Sequence, residues 1–346
     1  MFTRNHFCGH PVTVGRAHVA GGRIRAVIVN SKNANVATGP EGLADCGEMC
    51  RLAGAEVGCG PEEVMPFSTG VIGRRLPMDR IRAGMAGMGA AARPGRLEDF
   101  AQAILTTDTR PKWRSAMVDG VTLAGCCKGA GMIEPNMATM LAFFFTDAAI
   151  AVPDLDRCLR AAVHVSFNML SIDSDTSTSD TALLLANGQA GPVDIARFGE
   201  ALTAMAVELA QEVARDGEGA TKLLEVVVRG AVDEVAARRV AKSVVNSPLV
   251  KTAVWGGDPN WGRVAMAVGK SFDVPVLPER LRIAFGDLTV FAEGRPAPET
   301  LQALEAYLRG ERVRIAVDLG QGGVQATAWG CDLSPTYVHI NGEYTT

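Results

Sequence analysis

The period of the apolar residues changes repeatedly along this chain, and that mixture restricts the fold more than any other feature. Val313, Ile315 and Val317 alternate as a half-buried strand does. Phe198, Leu202, Met205, Leu209 and Val213 recur at helical spacing. The same reading predicts strands at 23–29, 64–67, 118–125, 139–145 and 223–228, and a hairpin over 283–291 turning at Gly286 and Asp287. It predicts helices at 43–53, from Pro77 onward, and at 97–105, 155–167 and 301–308, with Gly58 and Gly60 closing the first. No steady strand–helix–strand rhythm runs through the series. An α+β fold of packed layers is therefore expected rather than a doubly wound sheet.

Size and charge narrow the function. The 346 residues suit about two domains. Aromatic residues are only 5%, so the core must lean on small and aliphatic side chains. A net charge of −4 gives no electrostatic footprint for nucleic acid or an anionic membrane. Apolar runs such as 140–145 are far shorter than the roughly 18 residues a membrane helix needs. The first thirty residues carry no apolar signal core, so a cytoplasmic protein is expected. Eight cysteines form no CxxC pair and five histidines show no ligand spacing, so no metal or other cofactor is expected. Cys46 and Cys50 share a helical face, and Cys126 and Cys127 would point to opposite sides of a strand.

Three segments are rich in chemistry. The run 171–181, SIDSDTSTSDT, reads either as a solvated loop or as a hydrogen-bonding cradle. Asp216-Gly217-Glu218-Gly219 reads either as a helix-ending turn or as the seat of a buried Glu able to hold an ammonium. Gly129 and Gly131 lack the third glycine of a dinucleotide loop, which has Glu134 in its place. The third segment is 128–145, KGAGMIEPNMATMLAFFF, where Ala138-Thr139 opens an apolar strand. Thr is an ordinary strand residue. It becomes a nucleophile if the bond before it is cut, because the freed α-amine, with a pKa of about 7.7–8.0, can take the hydroxyl proton.

At this segment the chain resembles the ornithine acetyltransferase family, the glutamate N-acetyltransferases of arginine biosynthesis. The likeness continues through 30–39 (NSKNANVATG), 68–73 (STGVIG), 106–109 (TTDT), 175–178 (DTST), 216–222 (DGEGATK), 246–252 (NSPLVKT), 258–263 (DPNWGR) and the terminal EYTT, in family order. The resemblance implies an α/β/β/α sandwich, residues 1–230, with a smaller C-terminal α/β domain, 231–346, that contributes to the active site. It implies self-cleavage between Ala138 and Thr139 into 1–138 and 139–346. It also implies a ping-pong transfer of acetyl from N2-acetylornithine to glutamate through acetyl-Thr139. Thr69 and Gly70 would form the oxyanion hole. Thr106, Lys128, Thr139, Glu218, Asn341 and Thr346 would contact substrate. An α2β2 assembly is expected. Acetyl-CoA as a second donor, and a primary or secondary-metabolic pathway, are left open. So are a same-scaffold aminopeptidase or amidase and an uncleaved, non-catalytic relative.

Two departures stand out. Glu134 occupies a position where the family often has a small residue. Family members also usually carry several tens of residues before the Phe-Thr-x-Asn that here stands at 2–5. An absent edge element would leave sheet backbone unpaired. A melting temperature below that of an upstream-extended version is expected, and equal melting temperatures would refute it.

Overall fold

The computed structural model describes residues 1–134, 140–297 and 301–343. In chain order α1 (His10–Val19), β1 (Ala26–Asn30), α2 (Gly39–Val57), β2 (Val64–Ser68), α3 (Met78–Met85), α4 (Met88–Ala91) and α5 (Leu97–Ala103) form the first part. Then come β3 (Lys112–Val118), β4 (Val121–Lys128), β5 (Leu141–Ala148), α6 (Val152–Val165), β6 (Thr181–Gly191) and α7 (Ile195–Arg215). The last part is β7 (Leu223–Ala231), α8 (Glu234–Val245), α9 (Pro248–Gly256), α10 (Trp261–Gly269), β8 (Arg282–Phe285), β9 (Leu288–Ala292), β10 (Arg295–Pro296), α11 (Leu301–Leu308), β11 (Arg312–Asp318), β12 (Val324–Cys331) and α12 (Pro335–Glu343).

The expected layering follows from alternate residues of β4 and β5. Cys126, Leu141 and Phe143 face one way and pack with Met65 and Phe67 of β2 and Val27 and Val29 of β1. Cys127, Ala142 and Phe144 face the other way, into α6 and α7, with Leu159, Leu202, Met205 and Leu209. The parallel β1–β2 pair in turn turns Ala26, Ile28 and Val64 toward Met49, Cys50 and Ala53 of α2. The order is thus α2, then β1–β2, then the sheet β3-β4-β5-β6, then α6 and α7: an α/β/β/α sandwich. Strand alternation alone produces it, because two faces of one strand must each find an apolar partner.

The β3–β4 hairpin turns at Asp119 and Gly120, both with positive φ (48° and 86°), the geometry of a two-residue hairpin loop. The sequence predicts one strand over 118–125, because Val118 and Val121 flank the turn; the positive φ values at 119 and 120 break it into two. Gly125 is required where it stands. A Cβ there would lie 2.7 Å from the Phe144 ring and 2.9 Å from Met205 Sδ. At the far edge, residues 1–3 pair with 180–182: Ala182 N donates to Met1 O (3.0 Å) and Thr3 N to Asp180 O (2.8 Å).

The second sheet, β10-β9-β8-β11-β7-β12, mixes parallel and antiparallel pairs. Leu223–Val228 of β7 is buried on every residue, as a strand covered on both faces must be. α7 bridges the two sheets by packing on β3 and β4 and on β7 and β12. No helix among the described residues is long and apolar enough to cross a membrane.

Phe144 is fully buried and its ring lies 6.4 Å from that of Phe167. Phe144→Ala is expected to lower stability by about 3–5 kcal/mol in urea unfolding, as aromatic-to-Ala changes in cores do. A loss under about 1 kcal/mol would contradict this packing.

Candidate active site

A cleft of about 230 Å³ opens where the strand ends of the first sheet meet the turn after α7 and the helix α12. It is lined by Thr69, Gly70, Thr106, Lys128, Glu218 and Asn341. Residues far apart in sequence, all expected at the site, therefore converge. Ala138, Thr139 and Thr346, the other expected site residues, lie outside the described residues, as does the start of the predicted 139–145 strand.

Local structure places each group. Thr69 and Gly70 follow β2 and pair with the Asn-rich turn: Thr69 N donates to Asn30 O (3.1 Å) and Val71 N to Lys32 O (3.3 Å). Gly70 has φ +128°, and a Cβ there would stand 2.3 Å from the Lys32 carbonyl carbon. Only glycine fits, because the obstacle is backbone. Lys128 ends β4, and its Nζ donates to Thr69 Oγ1 and Thr106 Oγ1, each at 3.0 Å. Burial pushes the Lys128 ammonium below the ordinary lysine range, although Asp108 pulls the other way.

Glu218 sits in the turn closing α7. Its N–H donates to Ala130 O (2.8 Å), and its carboxylate accepts from Asn341 Nδ2 (2.8 Å). It is buried against Gly131, where a Cβ would collide with the carboxylate at 2.4 Å. Both readings of 216–219 therefore hold together: the segment is a helix-ending turn and it seats a buried Glu. For 171–181 the cradle is the observed arrangement. Asp173, Asp175 and 177–179 line the cleft, and Asp173 accepts from Met132 N and Ile133 N, both at 2.7 Å. Burial raises the Asp173 carboxyl above the usual range despite these bonds.

Beneath the cleft lies an ion cluster that sequence reasoning missed. Lys112 Nζ donates to Asp108 Oδ1 (2.7 Å) and Asp216 Oδ2 (2.5 Å), all three side chains being shut from solvent. Asp108 also accepts from Gly129 N (2.5 Å) and Thr106 N (3.2 Å), and Asp216 from Thr109 N (3.1 Å) and Thr109 Oγ1. One lysine thereby joins the three segments that carry Thr106, Lys128 and Glu218. The only signal in the sequence is a Lys four residues after an Asp, which is too common to read. Tyr337 was missed too; it lines the cleft, and its hydroxyl lies 3.4 Å from Asp173 Oδ2.

The ArgJ family model matches residues 1–346. The chain belongs to the ArgJ family. It is 49% identical over 347 residues to the Nostoc protein named arginine biosynthesis bifunctional protein ArgJ 2, covering 100% of this chain and 89% of the relative. It is 49% identical over 351 residues to glutamate N-acetyltransferase Oat2 of Streptomyces clavuligerus, again covering 100% and 89%. Its fold matches the crystal structure of arginine biosynthesis bifunctional protein argJ from Bacillus halodurans with a TM-score of 0.58 at 42% identity, over 60% of this chain and 100% of that one.

In this ArgJ-family chain the ion cluster has a signed pH dependence. Burial opposes ionised Asp108, but Lys128 and Lys112 outweigh it and hold the carboxyl below its usual range. That contribution is present above the unfolded pKa of about 3.9 and is lost as pH falls through the folded value. Burial likewise opposes charged Lys112, but Asp108 and Asp216 raise it overall. Its contribution is present below about 10.4 and is lost as pH rises through the folded value. Lys112→Met is expected to cost about 3–5 kcal/mol at pH 7, since it strands buried carboxylates. The deficit should be smaller at about pH 3, below the unfolded carboxylate pKa, because Asp108 stripped of its Lys112 partner takes up a proton more readily. Urea unfolding at both pH values checks this, and a deficit that grows on acidification would contradict it.

Proposed function

We propose that this chain is a glutamate N-acetyltransferase that takes the acetyl group from N2-acetylornithine through acetyl-Thr139, after cutting itself before that residue. Relatives that carry glutamate N-acetyltransferase and ArgJ names, at 49% identity over the whole chain, support the reaction class. The observation that carries the site assignment is a register. Leu141, the first residue of β5, pairs with Lys128, the last of β4. The chain therefore enters β5 from the cleft side, two residues after Thr139, beside the end of the strand that carries Lys128.

In self-cleavage, Thr139 Oγ attacks the Ala138 carbonyl carbon. The C–N bond breaks, its nitrogen gains a proton as the new α-amine, and an ester remains. Water hydrolyses that ester to the Ala138 carboxylate and the free hydroxyl. In turnover the α-amine accepts the hydroxyl proton while Oγ attacks the acetyl carbonyl. The oxyanion forms at Thr69 and Gly70, a donor arrangement whose loss typically costs about 3–4 kcal/mol. Ornithine leaves with the proton, and the glutamate amine then takes the acetyl group from the ester. Lys128 suits an α-carboxylate, and Glu218, braced by Asn341, suits a side-chain ammonium. Thr106 and Thr346 complete the substrate contacts. Association of the fragments as α2β2, a cytoplasmic location and acetyl-CoA as a second donor rest on the resemblance.

Denaturing intact mass of the parent beside Thr139→Ala tests the reading. A 36.4 kDa chain divided 138:208 gives pieces of about 14 and about 22 kDa. Both should appear in the parent and neither in the variant. The cut parent should convert N2-acetylornithine and glutamate to ornithine and N-acetylglutamate. An uncut, inactive parent would overturn the proposal, and release of free acetate without glutamate would point to a hydrolase instead.

A further inference from the structure

Glu134 is the last described residue before the segment 135–139, and neither the fold nor the acetyl-transfer chemistry above uses it. Its side chain is nonetheless held by three donors. Ser171 Oγ donates to Oε2 at 2.9 Å, Asn246 Nδ2 to the same oxygen at 2.5 Å, and Lys242 Nζ lies 3.2 Å from Oε1. Its backbone is pinned as well: Glu134 N donates to Asp175 O (3.0 Å), and Thr176 Oγ1 donates to Glu134 O (2.9 Å). Lys242 stands in the last turn of α8 and Asn246 caps that helix. Lys242 Nζ also donates to Leu170 O at 2.8 Å. The carboxylate thus fastens the chain ahead of residue 135 to a helix packed on the second sheet.

The downstream flank is fastened elsewhere. Thr181 N donates to Met140 O (3.0 Å), and Leu141 pairs with both Lys128 and Thr181 in the first sheet. One anchor on α8 and one in the first sheet therefore bracket a five-residue span. An intramolecular attack gains its rate from holding the reacting atoms in register, and misplacement by about 1 Å can cost about a hundredfold.

We propose that Glu134 is a positioning residue for self-cleavage: by gripping Lys242, Asn246 and Ser171 it ties the upstream flank of the scissile bond to α8, so the chain is cut efficiently only once α8 has docked. This rests on the reading that cleavage falls before Thr139. The Glu134 and Lys242 side chains keep 21% and 17% of their surface exposed. Breaking a mostly buried pair also costs stability, so the melting measurement separates that loss from a loss of positioning. Burial lowers the Lys242 pKa, and Glu134 opposes that shift, consistent with mutual dependence of the pair.

The test follows conversion of newly made precursor to its two fragments over time in the parent, Glu134→Ala, Glu134→Gln and Lys242→Met. Melting temperatures are taken with each change placed in an uncut Thr139→Ala background. Glu134→Ala and Lys242→Met should slow conversion by about tenfold or more, with melting shifted only by a few degrees. Glu134→Gln, which keeps an acceptor for Ser171 or Asn246, should fall between Glu134→Ala and the parent. Conversion at the parental rate in Glu134→Ala or Lys242→Met overturns the proposal and leaves the cleavage reading intact. Slowing that appears only with a collapse of melting temperature in both variants also overturns it. A Thr139→Ala chain that is still cut at the same bond defeats the underlying reading itself.

Discussion

A buried ammonium carries much of the weight in this molecule. Lys112 lies between Asp108 and Asp216 with no solvent access. Taking three charges out of water is costly, and attraction offsets that cost only when the remaining lone pairs are satisfied. Here they are, by Gly129 N and Thr106 N on one carboxylate and by the Thr109 amide and hydroxyl on the other. The demand for satisfaction links the parts. The 106–109 loop, the end of β4 and the turn after α7 cannot shift independently without exposing an unpaired charge. Each of the three carries a cleft residue. The rigidity of the cleft floor is a consequence of charge burial more than of apolar packing.

Apolar packing sets where that floor can be. β4 and β5 are buried on both faces, with Cys126 and Phe143 toward β2 and Cys127 and Phe144 toward α7. Such strands leave no face for a binding site. A ligand must be met at the strand ends, where side chains and backbone turn outward. Lys128 closes β4 at that rim, Ser68 closes β2 just before Thr69, and Asp180 precedes β6. Gly70, with positive φ against the Lys32 backbone, lets the rim fold over tightly enough to bring Thr69 within 3.0 Å of Lys128.

The legible and illegible parts of the sequence separate along physical lines. Long periodic elements were readable: α7 from Phe198 to Val213, and β11 from its alternation at Val313, Ile315 and Val317. The opposite orientation of Cys126 and Cys127 followed from strand geometry alone. α8, α9 and β12 leave little trace in the sequence pattern. α8 buries Ala236, Ala237 and Ala241 among its valines, and β12 carries the small Ala326, Ala328 and Gly330, so their apolar pattern is faint. β6 begins directly after a polar run that reads as loop. At the site, Lys128 and Glu218 stand in recognisable motifs and Asn341 comes only from the family resemblance; all three line the cleft. Lys112 and Tyr337 were not legible, because a contact between residues 104 apart in sequence, such as Lys112 with Asp216, leaves no local trace.

The cleft's charge balance bears on how one site could serve two amino acids in turn. Lys128 faces Asp173, Asp175 and Glu218 around the same space. Burial holds the Lys128 ammonium below its ordinary range. A ligand carboxylate placed against it would raise that value, so binding such a group keeps a proton on Lys128 that the empty cleft holds less firmly. The same ammonium donates to Thr69 and Thr106. On the proposed roles, carboxylate recognition and the orientation of the oxyanion donor would run through one atom. On the proposed mechanism, an α-carboxylate common to donor and acceptor would set Thr69 identically in both half-reactions. Discrimination between the two side chains would then fall to Glu218 and its Asn341 brace on the opposite wall.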